Sequence, residues 1–158
     1  MNISSIIKQY FIENKYDEIV ESLTVIRNDG VVLFSNSSDE FKNSSIGALA
    51  SGLWQAANSL NSLLESKTDE LDLRLSFDTS NNGLYILPIK VVNDVFYLCS
   101  IYNFEINPAK LKMNLRFLKK NLEVLLSDMK NEEDSRSEFL FKNISDEEMD
   151  NLFKMSRV

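Results

Sequence analysis

Residues 71–102 read LDLRLSFDTSNNGLYILPIKVVNDVFYLCSIY, and they decide the fold. From Leu71 to Phe77 apolar and polar residues alternate, the period of a strand wet on one side or lying at a sheet edge. Asn81-Asn82-Gly83 marks a turn, because Asn and Gly accept the backbone conformations a tight reversal needs. Leu84 to Val92 and Val95 to Tyr102 are almost continuously apolar and meet at Asn93-Asp94, a second hairpin. The segment VFYLCSIY is apolar on both alternating faces, so it reads as a central strand covered above and below. Pro88 lies inside the preceding run and cannot donate to a ladder, which predicts a bulge or a missing hydrogen bond there.

Upstream, Ser22 to Arg27 and Val31 to Ser35 flank Asn28-Asp29-Gly30, another hairpin. Ile3, Ile6, Ile7, Tyr10 and Phe11 fall on one stripe of an amphipathic helix reaching about Asp17. Ser35 to Ser45 reads as a loop, with Ser44 or Ser45 capping a helix over 46–64. The apolar face of that helix is predicted to be Ile46, Leu49, Ala50, Leu53, Ala57, Leu60 and Leu64. Downstream, Asn107 and Pro108 open a long helix whose stripe is Leu111, Leu115, Leu118, Leu122, Leu125 and Met129. Met113, Phe117 and Val124 form a second, minor stripe, which the first helix or the tail could cover.

Residues 1–130 form the predicted domain, 131–144 a linker, and 145–156 a short acidic helix in which Ser145 and Glu148 make a capping box. Residues 131–158 hold eight acids against four bases. The order is α-β-β-α-β-β-β-α plus a tail, an α+β arrangement. A mostly antiparallel sheet with a doubly covered central strand is satisfied by one sheet between helices.

Composition narrows the function. The 158 residues suit one core, and 17 Lys and Arg against 24 Asp and Glu give a formal charge of −7. A pI near 4.7 argues against non-specific nucleic-acid binding. There is no histidine and one cysteine, which removes His-dependent triads, Cys–His dyads and multi-Cys zinc sites. Cys99 reads as a small buried hydrophobe. Asp69, Glu70 and Asp72 make no catalytic carboxylate pair, and four glycines make no phosphate loop. The reading is a non-enzymatic binding protein with no cofactor and no metal. The N-terminal stretch reaches charged residues too soon for a secretory signal, so a cytoplasmic location is expected. Residues 43–64 are uncharged and long enough to span a bilayer, but three Asn, one Gln and five Ser exclude it.

Opposite the predicted apolar stripe of the 46–64 helix lie Gly47, Ala48, Ser51, Gly52, Gln55, Asn58, Ser59 and Ser62. A solvated helix face usually carries Lys and Glu. An uncharged face of small residues suits close approach of another protein, since charge is depleted at interface centres; an ordinary Ser/Asn-rich surface is the alternative. The 71–77 strand is the second candidate interface, with Asp72 and Arg74 as guards of an open edge. An edge that pairs with nothing fits equally. Lys112, Arg116 and Lys119 form a basic stripe on the last helix, with Lys110 and Lys120 nearby: a solvated face, or a contact for the acidic tail or an acidic partner.

The hairpin LTVIRNDGVVLFS, the helix IGALASGLWQAANSLNSLL and the 71–102 block followed by a Leu-periodic helix resemble the roadblock/dynein-light-chain family, including MglB-type regulators of Ras-like small GTPases. The resemblance covers about residues 1–128. It implies a five-stranded antiparallel sheet with the 46–64 helix on one face and the terminal helices on the other. It also implies a homodimer joining those helices and the 71–77 strands, through Gly47, Ala48, Ser59, Asp72, Arg74 and Ser76. The paired helices would be the platform for a small GTPase, with Ser51, Trp54, Gln55, Asn58 and Ser62 carried over as its contacts. Such regulators order the switch loops of the GTPase and donate no arginine, and many relatives only scaffold. The tail resembles the segment with which flagellar switch proteins bind a receiver domain, with Ile144, Ser145, Met149, Leu152 and Phe153 as its motif. A secretion chaperone for an unfolded effector segment is the alternative that small size and low pI also allow.

Overall fold

A computed structural model describes residues 3–14, 22–64, 73–91, 94–103, 105 and 107–142, with 130–142 in backbone only. The elements are α1 (Ile3–Glu13), β1 (Ser22–Arg27), β2 (Val32–Ser35), α2 (Glu40–Ser62), β3 (Leu75–Asp78), β4 (Asn82–Val91), β5 (Asp94–Asn103) and α3 (Pro108–Lys142). The five strands form one antiparallel sheet in the order β2-β1-β5-β4-β3. β5, the run apolar on both faces, is its centre.

The alternation of β5 sorts the core into two layers. Phe96, Leu98 and Tyr102 point to one side, where Ile7 and Phe11 of α1 and Leu111, Leu115, Leu118 and Leu122 of α3 cover them. Tyr97 and Cys99 point to the other, against Ala50 and Trp54 of α2. One face therefore carries the two terminal helices and the other carries α2, as the resemblance implies. The α3 stripe is as the spacing predicts, with Leu126 joining it buried. Met113, Phe117 and Val124 are exposed, so α1 does not cover the minor stripe.

The ladder between β4 and β5 runs without a shift from Asn82↔Asn103 to Val91↔Asp94, passing through Pro88↔Tyr97. The bulge expected at Pro88 is absent for a geometric reason. The Lys90 N–H points away from β5, since it donates to Glu123 Oε1 on α3 at 2.9 Å. The two-residue period puts the Pro88 nitrogen on that same outer side. β3 pairs with β4 only as far as Leu75↔Ile86, so Pro88 faces an edge where no ladder bond is lost.

Other boundaries also differ from the reading of the sequence. α2 begins six residues early: Asp39 is its N-cap and accepts from the Lys42 N–H at 2.9 Å. Ser45 instead bonds back to the Phe41 carbonyl inside the helix. At Asn107 the expected cap is present, its side chain accepting from Ala109 N–H at 3.0 Å. α3 continues through residues 131–142, where a linker was expected; the tail helix over 145–156 lies outside the described residues.

The β1–β2 turn is held tightly. Gly30 has φ +86°, and a Cβ on Gly47 would sit 2.3 Å from the Gly30 carbonyl oxygen. Backbone meets backbone there, so α2 lies directly on the turn. Replacing Gly47 by Ala forces that contact open and should lower stability by about 1–3 kcal/mol, read from the shift of the urea unfolding midpoint. Among the described residues of one chain a Cβ on Gly52 would meet nothing within 4 Å, so Gly52→Ala should stabilise the single folded chain by up to about 1 kcal/mol through helix propensity, read from the urea midpoint at concentrations where the protein is monomeric.

Candidate partner-docking surface

The rotation of α2 about its axis determines what the molecule presents. Trp54 is the largest fully buried side chain, 1% exposed, with its ring 5.0 Å from that of Tyr97. Ser51 donates to the Asn28 carbonyl at 2.8 Å, and the Tyr97 hydroxyl donates to Asn28 Oδ1 at 3.1 Å. Gly47, Ala50, Ser51, Trp54 and Asn61 form the inner side of the helix. That side lies one residue step, roughly 100°, from the leucine stripe the sequence put inward.

Trp54, Ser51 and Gly47 are therefore packing residues turned to the sheet, which corrects their reading as contacts for a partner. A bulky indole gains more from burial than any one leucine, and Gly47 lets the backbone come close enough to bury it. Ala48, Gln55, Ser59 and Ser62 are exposed and Asn58 is half-buried. Ser59 and Ser62 return their hydroxyls to the helix backbone, at Gln55 and Ser59 carbonyls.

The outer side carries what sequence reasoning missed. Leu49 is 68% exposed, Leu53 46% and Leu60 65%, and Phe41, Leu63 and Leu64 are exposed with them. No charge interrupts residues 43–64. Phe77 of β3 adds to this side of the sheet, since Leu75, two residues before it, packs on the α2 layer while Phe77 is exposed. A lone exposed leucine is ordinary, but several on a helix that carries no charge from residue 43 onward are not. The signal available in the sequence was the single tryptophan, whose wheel position fixes the inner side.

β3 presents its other face to α3. Lys112 Nζ donates to Ser76 Oγ at 2.8 Å and lies 3.8 Å from Asp78, whose carboxylate also accepts from the Tyr102 hydroxyl at 2.8 Å. Ser76 is thus engaged within the chain. Burial, and then the bond to Asp78, holds the Tyr102 hydroxyl above its usual pKa. Arg74 is exposed just before the strand. Asp72 lies outside the described residues, as do Ile144, Ser145, Met149, Leu152 and Phe153 of the tail.

Among the described residues no group of three His, Cys, Asp or Glu could hold a metal ion, and no helix is long and apolar enough to cross a membrane. A single sheet with α2 on one face and the terminal helices on the other is the roadblock arrangement, and comparison with solved structures places the chain in that fold. MglB of Myxococcus xanthus superposes with a TM-score of 0.65 at 13% identity, over 81% of this chain and 92% of that one. The gliding protein MglB of Thermus thermophilus gives 0.64 at 14%, over 81% and 94%. A Roadblock/LC7 domain from Streptomyces avermitilis gives 0.55 at 19%, over 66% and 83%. No family model and no curated protein sequence matches the chain.

Two titrations follow from the geometry. Burial pushes the Cys99 thiol up to about 12, so a thiol reagent at pH 8 should leave the native protein unmodified and label it stoichiometrically in urea. Hydrogen bonds from Arg27, then from the Val31 N–H, hold the Asp29 carboxyl down to about 2 from an ordinary 3.8. Its contribution to the hairpin is thus present above pH 3.8 and lost as pH falls through 2. NMR titration should show that low midpoint, returning toward the ordinary value in Arg27→Ala.

Proposed function

We propose that the chain is a homodimeric regulator or scaffold that binds a Ras-like small GTPase through paired α2 helices. The observation that carries this reading is the exposed, uncharged leucine side of α2, with Leu49, Leu53 and Leu60 at its centre. Two such helices packed across a twofold axis cover each other's leucines. Gly52 supports close packing: it costs the helix about 1 kcal/mol relative to Ala, and no contact among the described residues explains it. The roadblock fold supports it further, because MglB is a GTPase regulator of the same architecture. β3, with one edge bonded to β4 and the other free among the described residues, would extend the sheet across the same axis.

In this reading Ala48, Leu49, Gly52, Leu53 and Ser59 line the dimer contact. Leu60 joins that contact, while Gln55, Asn58 and Ser62 lie toward the platform for the GTPase. The outer side of α2 offers no arginine between residues 43 and 64. Any stimulation of hydrolysis would therefore come from ordering the partner's own switch loops around its nucleotide, not from a donated cation.

Sedimentation and turnover test the two parts separately. The wild-type protein should sediment as a dimer at micromolar concentration. Leu49→Lys with Leu53→Lys should give a folded monomer, because charge on both helices of the contact is unpaired and desolvated. Incubation with candidate Ras-like GTPases should give a stable complex with wild type and none with the double variant, with hydrolysis rates compared in both. A wild-type monomer would remove the dimer, and absence of complex with every candidate would remove the GTPase.

A further inference from the structure

Where β3 stops short of the end of β4, a cleft of about 330 Å³ opens between the sheet edge and α3. Its walls bring together Arg74 from the approach to β3 and Arg116, Lys119 and Lys120 from α3, against the single carboxylate of Glu123. In a chain with net charge −7 that is a local excess of positive charge. Glu123 is committed: its carboxylate accepts the Lys90 N–H at 2.9 Å and lies 3.3 Å from Lys119 Nζ. Arg74, Arg116 and Lys120 have no ion-pair partner among the described residues. Among the described residues Arg116 spends only its Nε, which donates to the Tyr85 hydroxyl at 3.2 Å, and that bond steadies the guanidinium while leaving its terminal nitrogens unspent there. The remaining wall is apolar, with half-buried Leu73 at its rim and the buried Leu87 and Pro88 at its floor.

Like charges gathered around one cleft repel each other in the free protein, and a ligand carrying more than one negative charge relieves that cost. A single carboxylate would neutralise one of the three cations. A phosphomonoester is close to dianionic at neutral pH and offers three acceptor oxygens, matching an arginine fork and a lysine together. The volume is at the lower end for small-molecule sites and too narrow for an α-helix roughly 10–12 Å across. The apolar wall suits a carbon body beyond the phosphate. We propose that this cleft binds a small phosphomonoester, its phosphate held by Arg74, Arg116 and Lys120 and its apolar portion against Leu73, Leu87 and Pro88.

The probes are phenyl phosphate and orthophosphate, added to the full chain and followed by amide NMR, with sodium chloride at matched ionic strength as control. Saturable shifts are expected at 73–74, 87–90 and 116–123, with phenyl phosphate binding tighter than orthophosphate. Arg116→Gln with Lys120→Gln, both at exposed positions, should weaken phenyl phosphate by about tenfold or more, with thermal unfolding confirming the fold. Glu123→Gln should strengthen it, by removing the carboxylate that competes for Lys119. Shifts that chloride reproduces would overturn the proposal. So would saturation by a peptide of residues 145–156 where phenyl phosphate fails, which would make the cleft a peptide site.

Discussion

The contact on which the rest depends is the seating of α2 on the β1–β2 turn. Gly47 lies against the Gly30 carbonyl with no room for a side chain. Ser51 bonds the Asn28 carbonyl, and Asn28 in turn receives the Tyr97 hydroxyl from the centre of the sheet. These contacts fix the helix in rotation as well as position, and Trp54 completes the arrangement by packing its ring, tilted, against that of Tyr97. Once the indole is inside, the leucines one step around the wheel have nowhere to go but out. The exposed leucine side of α2 is thus a consequence of how the core is satisfied.

The sheet divides the work between its faces. Two helices cover one side, where α3 alone contributes Leu111, Leu115, Leu118, Leu122 and Leu126 to a continuous layer. A single helix covers the other, and a helix about 10 Å wide cannot cover five strands. Leu75 and Leu84 are only partly buried there and Phe77 is open. The exposed leucines of α2 extend that same incompletely covered side. In the dimer we propose, a second copy of the chain covers it, because a twofold axis presents identical apolar surface to each protomer.

The far edge is handled by chemistry instead of packing. Lys112 joins Ser76 and Asp78 of β3 to α3, so the short edge strand is anchored by its polar side while its apolar side remains available. Beyond the last pair of β3, proline removes one donor from the exposed edge and Glu123 accepts another. Both discourage indiscriminate strand addition at that end. The cations of α3 then border an opening where β4 has no outer strand among the described residues.

Much of the architecture was legible in residues that leave one choice. Asp29-Gly30, Asn107-Pro108 and the doubly apolar VFYLCSIY each name a local conformation, and element order with the central strand followed from them. The rotation of α2 was not legible, because residues 46–64 present two plausible inner faces: a leucine stripe and a face of small residues around one tryptophan. Periodicity counts apolar residues, whereas burial depends on volume and on how closely two backbones can approach. The start of α2 was hidden for a related reason, since Asp39 and the charged first turn resemble the loop before them. The sequence by itself determined the order of helices and strands, though not every boundary, and that one strand lies buried on both sides. Only the tertiary structure decided which side of α2 meets the sheet, that Pro88 faces an edge where no bond is needed, and that Arg74 joins the cations of α3. Each of those depends on contacts between segments remote in sequence, which no local pattern encodes.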